Sequence, residues 1–169
     1  MTLNSDFHWL TTKSQDIDPA WAFAIARRES SFMADANSGA GARGLMQLLP
    51  STVNFITKKK VKSRKLFEPA FNIQQGTQYM RYLMDRMGNN AVLATASYNA
   101  GWSRVKNWVP KDDAVPLDIW VETIPFKETR NYVKAVLAYQ QIYSRLLGEE
   151  DNLFHRLADM EISQNTLSL

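Results

Sequence analysis

The sequence predicts a mainly α-helical fold with no substantial β-sheet. Its 169 residues are 45% hydrophobic and 22% charged, which are proportions typical of a globular domain. Apolar residues recur at the three- and four-residue spacing of amphipathic helices, and convincing alternating strands and hairpin turns are absent. We expect one helical domain at residues 16–148, with a lead-in at residues 1–15 and an acidic, helical tail at residues 149–169.

Local start and stop signals place the helices along the chain. Asp18 followed by Pro19 predicts a helix over residues 20–31, because Asp can cap a helix and Pro suits its first turn. A glycine-rich stretch predicts a shaped loop at residues 38–44, and Pro50 predicts the start of a short helix. Further helices are expected near residues 72–87, 90–98, 105–108, 117–123, 127–147 and 153–160. The long helix at residues 127–147 carries an apolar stripe that we expect to face the core: Tyr132, Ala135, Val136, Tyr139, Ile142, Tyr143 and Leu146.

The composition excludes several classes of functional site. The chain has no cysteine and two histidines, His8 and His155. Disulfide frameworks, thiolate metal sites and a cysteine nucleophile are therefore excluded. A histidine-rich metal site and a Ser-His-Asp triad are poorly supported, so we expect neither a metal nor a cofactor. No apolar run approaches the ~20 residues of a membrane-spanning helix.

The basic character of the sequence is local. The net charge is +3, and six basic residues fall within residues 58–65 (KKKVKSRK). This run fits a solvated loop, since like charges repel and stay in water. It also fits a contact with an anionic polymer, either nucleic acid or a cell-wall glycan bearing peptide carboxylates. No aromatic residue is interleaved, so the run does not predict a platform for stacking single-stranded bases.

Glu29 lies in line with the apolar stripe of the first predicted helix. Ala22, Ile25, Ala26 and Glu29 stand at i, i+3, i+4 and i+7. An apolar environment and the negative end of the helix dipole both raise the pKa of a carboxyl, whereas the two preceding arginines oppose that shift. A carboxyl that stays protonated near neutral pH can serve as a general acid. Periodicity alone fits a boundary residue whose head reaches water better than it fits a catalyst.

Four motifs in order change that interpretation. The sequence contains Ala26-Arg-Arg-Glu-Ser-Ser-Phe32, then Ser38, then Gly41-Ala-Arg-Gly-Leu-Met-Gln-Leu-Leu-Pro50. It continues with Ala96-Ser-Tyr-Asn-Ala-Gly101 and with Glu122-Thr-Ile-Pro-Phe-Lys-Glu-Thr-Arg-Asn-Tyr-Val133. These segments resemble, in order and spacing, the motifs of soluble lytic murein transglycosylases, over about residues 16–148.

The resemblance implies a lysozyme-like domain, similar to goose-type lysozyme, that cleaves peptidoglycan without water. The bond is the β-1,4 link from N-acetylmuramic acid to N-acetylglucosamine, and the product ends in a 1,6-anhydro ring. In this family one carboxyl acts first as acid and then as base, and Glu29 matches its position. An ordinary glycosidase needs two carboxylates, and this core motif contains one.

The resemblance also assigns further site residues, each with a structural alternative. Tyr98 matches a tyrosine near the catalytic site, although its ring could belong to the core. Ser38 matches a serine that contacts the substrate N-acetyl group, or it could bond its own loop backbone. Gln47 matches a groove glutamine, or it could be an exposed amide.

Four other matched positions are assigned with less distinct roles. Met46 and Leu49 would be apolar groove walls or core, with core favoured for Met46; the family often has methionine at the Leu49 position. Asn99 would bind sugar or shape a turn. Glu128 would contact glycan or peptide, or it could simply stabilise the first turn of its helix.

Three rival functions remain open from the sequence. A hydrolytic muramidase on the same scaffold would leave reducing ends, and an inactive glycan-binding domain would leave the glycan uncut. A nucleic-acid binder using residues 58–65 is disfavoured, because the basic run is short and isolated. We therefore expect peptidoglycan glycan strands as the partner, no nucleic acid, no membrane span and a monomer.

The location of the protein is predicted from the family and not from a leader. Residues 1–15 lack the basic start and apolar core of a signal peptide. Because peptidoglycan lies outside the cytoplasm, the family implies a periplasmic, wall-facing protein. We expect the chain to be a fragment or domain of a longer exported protein; a phage or secretion-apparatus enzyme exported by another route is the alternative.

Overall fold

The computed structural model describes residues 16–150 and 152–167. The expected lead-in at residues 1–15, including His8, lies outside the described residues, as does Asp151 of the acidic tail. The described chain is mainly helical, and the α fold class is confirmed. Its helices are α1 (Pro19–Ser30), α2 (Pro50–Thr57), α3 (Pro69–Arg86), α4 (Ala91–Ala100), α5 (Trp102–Trp108), α6 (Leu117–Thr123), α7 (Lys127–Leu146) and α8 (Leu153–Ala158). Short 3₁₀ segments cover Ser63–Phe67 and Gln164–Leu167.

The chain divides into two compact units, Met1–Arg81 and Tyr82–Leu169, and the boundary falls within α3. The domain limits expected at residues 16 and 148 stay predictions. No helix in the described ranges is long and apolar enough to cross a membrane.

Helix α1 of the first unit starts as its sequence predicts. The Asp18 carboxylate accepts a hydrogen bond from the amide of Ala20 at 2.8 Å, and Pro19 occupies the first turn. The helix is buried on nearly all sides, because Phe23 and Ala24 are shielded as well as the expected stripe. The stripe inferred from the sequence was therefore too narrow, since alanine packs on any face of a tightly enclosed helix.

The second unit has a core around the fully buried Trp120. Side chains from α4, α5, α6 and α7 contribute to it, including Leu93, Val105 and Val133. The end of the chain joins the same core through Leu153, Ile162 and Leu167. Three apolar side chains of the described segment 152–167 therefore pack into this unit's interior.

A small antiparallel ribbon ties the chain end to the second unit. Strand β1 (Val115–Pro116) pairs with β2 (Glu161–Ile162), with Val115 opposite Ile162. The Leu117 amide also donates to the Met160 carbonyl at 2.8 Å. The sequence did not predict these strands, because two residues are too few to show an alternating pattern.

The buried face of α7 differs from the predicted stripe. The helix buries Thr129, Tyr132, Val133, Val136, Leu137, Gln140 and Ser144. Ile142 and Leu146 were expected in the core, but they are 54% and 64% exposed. The two faces share Tyr132 and Val136, but the core covers the side of the helix that also carries Val133, Leu137 and Gln140, so the predicted stripe was placed too far round the helix.

Candidate functional site

Glu29 lies in the last turn of α1 and is partly buried. The helix ends at Ser30, and the next two residues have positive φ: Ser31 (φ 53°) and Phe32 (φ 66°). The Phe32 ring packs edge-on against Phe23 with centroids 6.3 Å apart. Non-glycine residues in this backbone region cost about 1 kcal/mol or more each, and such strain is concentrated at functional sites. These two residues therefore end the helix one residue beyond Glu29.

The Ser30 side chain joins the end of α1 to the following loop. It is buried, and its hydroxyl donates to the Leu45 carbonyl at 2.7 Å, with a longer contact of 3.3 Å to the Ala26 carbonyl. A buried hydroxyl with a short bond to a distant carbonyl fixes both partners. Glu29 is thereby anchored, through its neighbour, to the loop at residues 36–48.

This loop carries Ser38 and Gln47, two of the predicted site residues. The Ser38 hydroxyl accepts from the Ala42 amide at 3.0 Å, and its own amide donates to the Ala42 carbonyl at 2.9 Å. Gln47 is left-handed (φ 46°), and its Nε2 donates to the carbonyls of Ala36 at 3.0 Å and Gly44 at 2.9 Å. Both side chains therefore shape the loop, yet both remain partly exposed.

Met46 and Leu49 have opposite environments. Met46 is fully buried, and a Cβ added at Gly76 would overlap its sulfur. Met46 therefore belongs to the core, as favoured from the sequence, and its assignment as a groove wall is corrected. Leu49 precedes α2 and is 40% exposed, so it can contact a ligand.

The Asn72 side chain holds the backbone of the loop at residues 36–48 by hydrogen bonds, and this residue was not identified from the sequence. It is fully buried on α3. Its Oδ1 accepts from the Met46 amide at 2.8 Å, and its Nδ2 donates to the carbonyls of Arg43 at 2.9 Å and Leu66 at 2.7 Å. The available signal was an asparagine on the inner face of a helix with glycine one turn later, at position 76. The missing side chain at Gly76 leaves room for the Met46 side chain, and Asn72 binds the amide of the same residue.

The second unit brings Asn99 and Glu128 together. Asn99 lies near the end of α4, and its Nδ2 donates to Glu128 Oε1 at 3.4 Å. Its Oδ1 accepts from the buried Thr129 hydroxyl at 2.7 Å. Thr129 was not singled out from the sequence, because a threonine in the first turn of a helix has no distinctive pattern. It fixes which way the Asn99 amide points.

Tyr98 is the residue before Asn99 on α4, and its side chain is partly buried. Tyr132, for which packing was favoured over sugar binding, is 3% exposed. In residues 16–150 and 152–167, no three acidic or histidine side chains converge as a metal site would require.

Two family models match the sequence. The transglycosylase SLT domain matches residues 10–120, and the soluble lytic transglycosylase helical domain matches residues 123–151. The soluble lytic murein transglycosylase of Salmonella typhimurium is 41% identical over 151 residues, which is 84% of this chain and 23% of that protein. The chain thus spans about a quarter of the length of the curated relatives it matches.

Solved structures give the same result. An inactive glutamate-to-glutamine mutant of lytic transglycosylase Slt from Pseudomonas aeruginosa superposes with a TM-score of 0.84 at 37% identity, covering 89% of this chain and 25% of that one. The 70 kDa soluble lytic transglycosylase of Escherichia coli gives 0.80 at 36% identity, covering 88% and 25%. The predicted lysozyme-like helical fold is confirmed, and the chain belongs to the transglycosylase SLT domain family.

Proposed function

We propose that this chain is the catalytic domain of a peptidoglycan lytic transglycosylase. It would cleave the β-1,4 bond between N-acetylmuramic acid and N-acetylglucosamine and leave 1,6-anhydro ends. One observation carries the proposal. Among the described residues 16–120 of the matched domain, the acidic side chains that are partly buried are Asp18 and Glu29. The Asp18 carboxylate caps the start of α1, so Glu29, at the other end of that helix, is the sheltered carboxyl that fits catalysis.

The chemistry that fits one carboxyl is assisted by the substrate. The Glu29 carboxyl donates its proton to the glycosidic oxygen as the bond to C1 of the muramic residue breaks. The N-acetyl group of that residue stabilises the positive charge developing at C1, as in substrate-assisted glycosidases. The Glu29 carboxylate then takes the proton of the C6 hydroxyl, whose oxygen bonds to C1. The protonated acid is restored, and no water is consumed.

The loop at residues 36–48 would orient the sugar for this step. Because the Ser38 oxygen accepts a hydrogen bond from the Ala42 amide, its hydroxyl can donate a hydrogen bond to the carbonyl of a substrate N-acetyl group. Because the Gln47 Nε2 is held by two loop carbonyls, its Oε1 is the atom suited to a sugar hydroxyl. Leu49 offers an exposed apolar surface to a sugar ring. Met46 would support the loop from the core.

The second unit would supply further polar contacts. Thr129 and Glu128 hold the Asn99 amide in a fixed orientation, which favours hydrogen bonding to a sugar or a peptide. The exposed Glu128 could contact the glycan or its peptide. Tyr98 is proposed to support the reaction through its hydroxyl.

The relatives support this proposal. The mutant Pseudomonas aeruginosa enzyme is described as inactive after replacement of a glutamate by glutamine, which is the effect expected of a single essential carboxyl. Because peptidoglycan lies outside the cytoplasmic membrane, we propose a periplasmic, wall-facing site of action, and we expect a monomer.

Mass spectrometry of fragments released from purified sacculi tests the function. Wild-type protein should release fragments lighter by one water than hydrolysis products, and Glu29→Gln should release none. Asp35→Asn, at the exposed neighbouring acid, is the matched control and should retain activity. Reducing ends would instead make the protein a hydrolytic muramidase. Intact sacculi with bound wild-type protein would make it a glycan-binding module.

A further inference from the structure

The positive charge of the protein is concentrated in the first unit. Residues 36–81 contain eight basic residues and one acidic residue, Glu68, whereas the rest of the chain contains twelve basic and sixteen acidic residues. Six of the eight lie at residues 58–65, which we call the basic loop. A local excess of this kind on an otherwise slightly acidic protein creates a positive surface that attracts anions.

The backbone of the basic loop is fixed by side chains around it. Thr57 Oγ1 contacts the carbonyls of Val53 at 2.8 Å and Lys59 at 3.1 Å. Asn54 Oδ1 accepts from the Val61 amide at 2.8 Å. The loop then enters a 3₁₀ segment (Ser63–Phe67) whose Leu66 is fully buried. The cations are therefore displayed from an ordered backbone.

All six cations of the basic loop are exposed. Within residues 16–150 and 152–167, none of them lies within ion-pair distance of a carboxylate. Lys65 packs over the Phe71 ring, with Nζ 4.5 Å from its centroid, and the others project into solvent. Clustered like charges repel one another, and no anionic side chain among the described residues offsets that cost.

We propose that the basic loop binds the carboxylates of peptidoglycan peptide stems, next to the glycan under attack. This inference rests on the proposed function. Helix α2 links the exposed Leu49 to Lys58 with eight residues, or about 12 Å at the rise of an α-helix. A strand contacting Leu49 would therefore pass within reach of the loop. The loop itself contains no aromatic side chain for base stacking, which disfavours single-stranded nucleic acid as its ligand.

A binding experiment with charge-neutral variants tests the inference. The loop variant replaces Lys59, Lys60, Lys62 and Arg64 by Gln, leaving the left-handed Lys58 and the packed Lys65 unchanged. The matched control replaces four exposed basic residues of the second unit by Gln: Lys106, Lys111, Lys134 and Arg145. Both sets are made in the Glu29→Gln background so that sacculi stay intact during co-sedimentation.

We expect the loop variant to lose sacculus affinity on the order of tenfold at low ionic strength, with the difference shrinking as salt screens the charges. Control binding should change little. Amidation of the stem carboxylates should abolish the difference between loop variant and parent. Equal binding to native and amidated sacculi would overturn the inference, as would equal losses in the two variants. Tighter binding to duplex DNA or anionic lipid vesicles than to sacculi would also overturn it.

Activity on peptide-free glycan separates this inference from the proposed function. With Glu29 restored, the loop variant should cleave peptide-free glycan at the wild-type rate, because no stem carboxylate is present. A comparable loss on that substrate would show that the loop serves the glycan itself and would overturn the inference. Absence of anhydro products from the wild-type protein would overturn the proposed function, while the sacculus-binding result would stand independently.

Discussion

Replacement of Asn72 by Leu removes the support beneath the candidate catalytic loop. The two side chains are similar in size, but Leu cannot form any of the three hydrogen bonds of Asn72. The Met46 amide and the carbonyls of Arg43 and Leu66 would lose their bonds of 2.8, 2.9 and 2.7 Å. Because Asn72 is fully buried, water does not readily replace it.

The expected loss of stability follows from these three groups. A buried backbone group left without its partner costs about 1–3 kcal/mol. We expect a total of roughly 3–6 kcal/mol, because relaxation returns part of the sum. A domain typically has only about 5–15 kcal/mol of stability, so the variant should be close to unfolding at ordinary temperatures.

Urea denaturation followed by circular dichroism measures this loss. The matched control is Asn54→Leu, the same substitution in the same unit. Asn54 is partly exposed and accepts a hydrogen bond from the Val61 amide at 2.8 Å, so we expect a loss of about 1 kcal/mol in the free energy of unfolding. Equal losses in the two variants would refute the reasoning, because the number of buried partners would then not determine the cost.

Three further substitutions have definite expected outcomes. Gly44→Ala should lower the free energy of unfolding, measured by urea denaturation, by more than about 3 kcal/mol. The added Cβ would overlap the Leu66 carbonyl, and the backbone φ of +75° is unfavourable for alanine. Unchanged stability would contradict this packing. Thr129→Val should lower the free energy of unfolding by about 1 kcal/mol. It should also reduce glycan turnover on the order of tenfold, because the Asn99 amide loses its fixed orientation. Normal turnover would argue against a binding role for that amide. Tyr98→Phe should leave the protein folded at the assay temperature and reduce turnover roughly tenfold or more; wild-type turnover would remove the hydroxyl from the mechanism.

Structural features that depend on a few neighbouring residues could be predicted from the sequence. The start of α1 follows from Asp18 and Pro19, and α6 and α7 occur within one residue of their predicted limits. These elements depend on capping and periodicity, which act over one or two turns. The matched motifs also indicated Glu29 before any geometry was known.

Structural features that depend on residues far away in the sequence could not be predicted from it. Asn72 reaches the Met46 amide 26 residues earlier in the chain, and nothing near Asn72 announces that contact. The burial of Met46 and the packing of Leu167 in the second unit's core depend equally on remote segments. The buried face of α7 depends on which neighbouring elements cover it. The sequence does not show those neighbours, so Ile142 was wrongly assigned to the buried face.

The source of the oxygen at the new sugar end tests the central claim most directly. Peptidoglycan would be digested with wild-type protein in water labelled with oxygen-18, and the released fragments would be weighed by mass spectrometry. If the C6 hydroxyl is the nucleophile and Glu29 the acid and base, the fragments carry anhydro ends and no label. Incorporation of one labelled oxygen into each new end would show that water attacks C1, which would contradict the account.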